Sequence, residues 1–275
     1  MRVSKIFKTS KRVIVFGLDG VGTTLREASA PNMKALLENG VLTYAARTVY
    51  PPISAQVWTS ILYGVPPEKH KISNMSLMDH NARVAATYPS FFKVVRQQLP
   101  ECNLASFGDW KELNSGLIEA SCQCHLGTLN HPATDQLGKA VANHITQHDP
   151  TITLVYFEEP DHVGHEHNYG SHLHHEAIRK CDEQIGIVVN ALTDADMLND
   201  SLMIFCTDHG GAYRIHASDL PRDMTVFWGA CGPGVAPGGQ IQGLRTMDTA
   251  AVVIHALGLE IPDIWDAKVP QGLFG

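Results

Sequence analysis

Long apolar runs are missing from this chain. Its most apolar stretches, such as Val13 to Leu18 and Ser201 to Cys206, fall far short of the ~20 residues that a membrane-spanning helix needs, so no span is expected. The run from Val13 is also too short to be the apolar part of a secretory leader, despite the basic MRVSKIFKTSKR before it, and a cytoplasmic protein is the default expectation. Basic residues are scarce: 21 Lys and Arg face 28 Asp and Glu, a net charge of −7, which argues against a nucleic-acid polymer as partner. The six cysteines are scattered, and the nearest approach to a pair is Cys122-Gln-Cys124, so buried free thiols are expected rather than a disulfide framework. No repeat or low-complexity linker divides the chain. With 275 residues, 44% of them hydrophobic, it reads as one globular domain over residues 1–275.

Histidine, by contrast, is plentiful: there are fifteen, several of them between 162 and 175. Most have bland readings. His125, His131, His144 and His148 fit a solvated or structural role, and His172, His174 and His175 fit a polar face near the start of a long helix, Ser171 to Leu192. The informative ones stand at the ends of strands. Ser201 to Cys206 reads as a buried strand, and Thr207-Asp-His-Gly-Gly211 follows it at once. Adjacent side chains on a regular strand point to opposite faces, so Asp208 and His209 converge only where the chain breaks, and Gly210-Gly211 supplies the break. Carboxylate and imidazole together suit a divalent metal.

Two other strand ends repeat the pattern. Val13 to Leu18 ends at Asp19-Gly20. Thr151 to Phe157, rich in β-branched residues, runs into Glu158-Glu-Pro-Asp161-His-Val-Gly-His165, where a spacing of four puts Asp161 and His165 on one face of a helical turn. Between these, Tyr50-Pro-Pro-Ile53 leads to Ser54 at or next to the cap of a helix that runs to Gly64. Ser54 is either a plain cap or a nucleophile; a helix N-terminus suits a phosphoryl group, and the hydroxyl then needs a base or metal to activate it.

The remaining elements are a helix opened by Pro31 with Met33, Leu36 and Leu37 inward, a strand over 41–49, an irregular segment over 65–88, a helix over 89–99, short strands over 103–107 and 118–125, a helix over 133–148, a strand over 224–228 and a last helix over 249–257. Strands alternate with helices, which predicts an α/β fold with a mostly parallel sheet and helices on both faces. In such a sheet the ligand site lies beyond the carboxyl ends of the strands. Asp19, Asp161, His165, Asp208, His209, His216 and the hydroxyl of Ser54 can all reach that edge, an inventory able to hold two divalent ions for displacement at phosphorus. Nitrogen and oxygen donors suit Zn²⁺ or Mn²⁺.

The segments Phe16-Gly-Leu-Asp19-Gly20, Ala30 to Gly40, Tyr50 to Ser60, Gly64 to His70, Asp161-His-Val-Gly-His165, Thr207 to Gly211 and Gly232-Pro-Gly234 stand in the order found in a known group. The chain resembles the alkaline phosphatase superfamily and, within it, the type I phosphodiesterase/nucleotide pyrophosphatase branch. The resemblance implies an alkaline phosphatase-like core, one metal on Asp19, Asp208 and His209 with Ser54 as nucleophile, and a second metal on Asp161, His165 and His216. The family usually has His-Gly where this chain has His216-Ala217, so His167 or a histidine near 172–175 is the alternative last ligand. The nucleophile is often Thr in that branch, and Val57 stands where an Asn often follows. The chain is short for the family, with little room for a large cap domain. Ser54-Ala-Gln-Val-Trp lacks the Pro and Arg of a sulfatase Cys/Ser-x-Pro-x-Arg stretch. The implied activity is metal-dependent hydrolysis of a small phosphate ester, a diester above all, because no Arg follows Ser54 to meet the extra charge of a monoester. A phosphomonoesterase or phosphate-transferring mutase is the alternative in the same superfamily, and a non-catalytic metal-binding protein the alternative from another class.

Overall fold

The computed structural model describes residues 10–77, 87–131 and 134–275. Part of the irregular segment expected over 65–88 therefore lies outside the described residues; the remainder contains helical turns at Pro67–His70 and Asn74–Ser76.

A seven-stranded sheet forms the middle layer. Its strands are β1 (Arg12–Leu18), β2 (Val41–Arg47), β3 (Leu104–Gly108), β4 (His125–Thr128), β5 (Ile152–Phe157), β6 (Ser201–Cys206) and β7 (Thr225–Cys231), in the order β2-β7-β6-β1-β5-β3-β4. The pairs β6-β1, β1-β5, β5-β3 and β3-β4 are parallel; β7 runs antiparallel to both β6 and β2. The expected mostly parallel α/β sheet is what forms.

β1 is apolar at nearly every position because both of its faces are covered. Val13 and Val15 join one core with helices α2 (Ser54–Tyr63), α3 (Phe91–Gln98) and α7 (Thr249–Ala256). Ile14, Phe16 and Leu18 face the other core with α1 (Pro31–Glu38), α4 (Thr134–His148) and α6 (His172–Asp194). Helix α5 (Glu159–His167) follows β5. α2 is buried on all sides, with nine of its ten residues enclosed, which accounts for its lack of a polar face. α1 begins after Ala30, which cannot cap. Asp182 of α6 does so instead, its carboxylate accepting from the backbone of Asn32 (3.0 Å) and Met33 (2.8 Å).

One expected strand is displaced. Residues 118–125 do not extend; a tight turn at Ala120–Cys122 buries Cys122 and only then does β4 begin. Glu119 fixes that turn by accepting from the backbone and hydroxyl of Ser90 (2.9 and 2.5 Å). All six cysteines are free, four of them buried.

Candidate functional site

The carboxyl edge of the sheet gathers the polar strand ends. Asp19 follows β1, Asp208 and His209 follow β6, and Asp161 lies on the first turn of α5, just past β5. Each is displaced from regular strand geometry by a local device. Gly20 has φ +67°, a conformation that suits glycine, and a Cβ built there would lie 2.6 Å from Asp161 Oδ1. The backbone N–H groups of Gly20 (3.0 Å) and His209 (2.9 Å) both donate to Asp208 Oδ1.

Ser54 is the first residue of α2, and Ile53 is the cap residue. Its hydroxyl makes no capping bond. Instead Oγ lies 3.5 Å from Asp19 Oδ1 and 3.4 Å from His209 Nε2. The backbone N–H of Ala55, which has no partner within the helix, is taken by Asn74, whose Oδ1 accepts it at 3.0 Å.

The three histidines share one orientation. His165 Nδ1 donates to the carbonyl of Arg214 (2.9 Å), His216 Nδ1 to that of Pro52 (2.7 Å) and His209 Nδ1 to that of Gly210 (3.0 Å). A carbonyl only accepts, so each Nδ1 carries a proton and each ring turns its Nε2 towards the cluster. His216 Nε2 and His165 Nε2 are 3.2 Å apart, and the rings of His209 and His216 stack at 3.7 Å. A proton or a metal ion can bridge two ring nitrogens at that distance. His165 Nε2 lies 3.3 Å from Asp161 Oδ2. His209 Nε2 lies 3.2 Å from Asp208 Oδ2, 3.5 Å from Asp19 Oδ1 and 3.8 Å from Asp161 Oδ1.

Among the described residues two groups have ligand atoms close enough to share an ion: Asp19, Asp208 and His209; and Asp161, His209 and His216. His209 is common to both, a sharing that a strict division into two separate triads misses. His165 stands beside the second group. His167, an alternative to His216, is exposed and faces Glu166 (3.7 Å). His174, another alternative and expected on a polar face, is fully buried: its Nδ1 accepts from the Gly170 N–H (3.0 Å), and its ring packs behind Tyr169.

The electrostatics fit cationic occupants. Burial, then the charges of Asp208 and Asp161, push the Asp19 carboxyl far up. Burial and Asp161 raise Asp208 to about 7. Burial also works to raise Asp161, but hydrogen bonding with His165, the charge of His209 and the Tyr169 hydroxyl outweigh it and hold Asp161 below the usual carboxylate range. His165 is raised to about 9, chiefly by its bond to Asp161, while burial and His209 lower His216 to about 4. Among the described residues no Lys or Arg pairs with these three carboxylates; their ionic partners are histidines. Asp208 Oδ2 is buried with no hydrogen-bond partner. An orphaned carboxylate oxygen beside converging Nε2 atoms is a donor set that suits a divalent ion.

Four further residues gave no sequence signal of their own. Trp58, one helical turn after Ser54, donates Nε1–H to Asp19 Oδ2 at 3.0 Å, and the Tyr156 hydroxyl donates to the same oxygen. Both bonds leave Oδ1 facing Ser54. Tyr169 donates to Asp161 Oδ1 at 2.5 Å; a Cβ on Gly211 would lie 2.7 Å from its ring, so glycine there makes room for it. Asn74 is the fourth.

Comparison with known proteins places the chain in a family and a fold. The family model "Type I phosphodiesterase / nucleotide pyrophosphatase" matches residues 13–91 and 93–216. Murine ectonucleotide pyrophosphatase/phosphodiesterase 5, an inactive form in complex with AMP, superposes with a TM-score of 0.76 at 15% identity, covering 92% of this chain and 96% of that one. The lipoteichoic acid synthase LtaP of Listeria monocytogenes superposes with a TM-score of 0.75 at 14% identity over 98% of this chain and 78% of that one. A choline-sulfatase of Rhizobium meliloti (strain 1021) is 29% identical over 90 residues, 30% of this chain and only 17% of that protein's length.

Proposed function

The chain belongs to the type I phosphodiesterase/nucleotide pyrophosphatase family of the alkaline phosphatase superfamily, and from that membership and the site geometry we propose that it is a metal-dependent phosphodiesterase working through a phosphoseryl intermediate. The observation that carries the reading is Ser54. Its hydroxyl opens a helix, makes no cap, and stands between Asp19 Oδ1 and His209 Nε2.

In this reading Asp19, Asp208, His209 and Ser54 hold one divalent ion, and Asp161, His165 and His216 hold the other, with Zn²⁺ or Mn²⁺ suited to the donors. When bound, such ions lower the pKa of a hydroxyl and neutralise charge on phosphoryl oxygens. Ser54 Oγ gives up its proton to solvent and attacks phosphorus, a P–O bond forms, and the opposite P–O bond breaks with its electron pair on the leaving oxygen. Water then loses a proton and attacks the phosphoseryl group, and the Ser54 Oγ–P bond breaks as Oγ regains a proton. The N-terminus of α2 favours the phosphoryl oxygens, and Asn74 Oδ1 holds the backbone N–H of Ala55 in its first turn. Trp58 and Tyr156 keep Asp19 presenting a single oxygen.

The test is hydrolysis of bis(p-nitrophenyl) phosphate beside p-nitrophenyl phosphate and p-nitrophenyl sulfate, on metal-stripped and reloaded protein. Metal-dependent turnover of the diester is expected to dominate, and Ser54→Ala is expected to lower it on the order of 1000-fold or more while two ions still bind. Monoester preference moves the reading to a phosphatase, and sulfate ester preference to a sulfatase. Unchanged turnover in Ser54→Ala removes the nucleophile.

A further inference from the structure

The surface around Ser54 departs from the rest of the molecule. Eight large hydrophobic side chains are exposed among the described residues, and five of them, Tyr50, Met75, Tyr213, Ile215 and Leu220, stand on the segments that carry Ser54, Asn74 and His216. Met75 is 98% exposed and Tyr213 73%. Met75 adjoins Asn74, which is fixed to the first turn of α2. Tyr50 precedes Pro51-Pro52, and the Pro52 carbonyl accepts from His216, so the 50–53 segment and the turn at 212–216 lie against each other.

That turn is rigid. Ala212 and Ile215 exchange two backbone hydrogen bonds (3.0 and 3.2 Å), which leaves Tyr213 and Arg214 at the tip. The Tyr213 carbonyl accepts from the Tyr169 N–H at 2.7 Å and the Arg214 carbonyl from His165 at 2.9 Å. A segment pinned to the site at both tip residues keeps its apolar side chains in water at a cost, and exposed apolar clusters of this kind mark binding surfaces. Charge there is balanced, with Arg214 and Asp219 both exposed on the same stretch.

We propose that this rim is the specificity surface of the site and takes an uncharged apolar group esterified to the phosphate, an aryl ring or an alkyl chain, rather than a second anion. The proposal rests on the phosphodiesterase reading and names the substrate's other half. Apolar surface is the shared chemistry. Tyr50 and Tyr213 suit a planar ring, and Met75, Ile215 and Leu220 suit a chain.

The test compares the methyl, hexyl and phenyl esters of p-nitrophenyl phosphate on metal-loaded protein. The phenyl or the hexyl ester is expected to exceed the methyl ester about 10-fold or more in kcat/KM; phenyl leading assigns a ring, hexyl leading a chain. The double variant Met75→Gln with Tyr213→Asn is expected to bring that ratio down towards one. Asn tolerates the positive φ of Tyr213 (+56°), and Met75 packs on almost nothing, so folding is not the variable. Equal kcat/KM for all three esters, or a ratio the double variant leaves intact, overturns the proposal while leaving the diesterase reading standing. No turnover of any ester overturns both. A self-association in sedimentation that the double variant abolishes also overturns it, because the rim is then a contact between copies of the chain.

Discussion

The two edges of the central sheet handle buried charge in opposite ways. At the amino edge, Arg12 opens β1 with a side chain only 2% exposed, and the protein itself neutralises it. Its guanidinium donates to Asp149 (2.9 and 2.7 Å), to the Met197 carbonyl (2.9 Å) and to Asp200. At the carboxyl edge of the same strand, Asp19 meets Asp208 and Asp161, and the groups facing them are imidazoles that present Nε2. One edge is electrostatically closed. The other gathers carboxylates that no Lys or Arg among the described residues pairs with, a balance that a bound cation would complete in the proposed function.

The sharpest way to break this contrast is to remove a carboxylate from the open edge. Asp208→Asn is expected to lower diester turnover on the order of 1000-fold. The same change is expected to raise the melting temperature of the metal-free protein by about 2–4 °C, the shift that about 1 kcal/mol produces in a domain of roughly this size. It removes a buried like charge and leaves no paired cation behind. Calorimetry with and without chelator reads both effects. A metal-free variant less stable than the wild type would mean that the open edge is internally balanced.

The matching change at the closed edge goes the other way. Arg12→Met is expected to cost about 2 kcal/mol, since several charge-assisted hydrogen bonds are lost, with metal binding at the far edge unaltered. Urea unfolding and metal titration check the two halves separately. A smaller effect is expected at Tyr169. Tyr169→Phe keeps the ring beside Gly211 but removes the hydroxyl that orients Asp161, and is expected to weaken the second ion about 10-fold without lowering stability. Isothermal titration with Zn²⁺ reads the affinity, and an unchanged affinity assigns the hydroxyl a packing role only.

The mildest test is pH. Asp208 and Asp19 both have raised pKa values in the folded protein. Their contribution to stability is therefore full below the ordinary carboxylate pKa and is lost as pH rises through the folded values. Relative to Asp208→Asn, the metal-free wild type is expected to melt at progressively lower temperature from about pH 4 to about pH 7, where Asp208 titrates, a comparison that cancels histidines such as His216, whose lowered pKa works the other way. Asp161, held low, contributes the opposite way only at strongly acid pH. Loading with metal is expected to abolish the slope across the neutral range, because the ligands are then ionised on both sides of it.

Much of the site was legible in the chain because strand ends announce themselves. An apolar run stopped by Asp-Gly or Asp-His-Gly-Gly locates a carboxylate at the edge of a sheet, and the spacing of Asp161 and His165 follows from helical periodicity alone. The supporting residues were not legible. Trp58 reads as core, Tyr156 as an ordinary strand residue and Tyr169 as loop; the contacts that define them cross 39, 137 and 8 positions of sequence. The strand expected over 118–125 failed for a related reason. Its apolar residues are buried in a turn held by Ser90, a long-range contact that local pattern does not carry.

The sequence by itself determined the alternation of strands and helices, the edge on which the carboxylates gather, and the hydroxyl that opens α2, because period, propensity and turn chemistry act over a few residues. Only the tertiary structure decided that the Ser54 hydroxyl lies beside Asp19 and His209 rather than capping its helix, that His209 stands in both groups of ligand atoms, and that His216 and not His167 or His174 faces them. Each of those depends on where chain segments far apart in sequence come to rest, which the packing of the two cores against the sheet sets and no local pattern can.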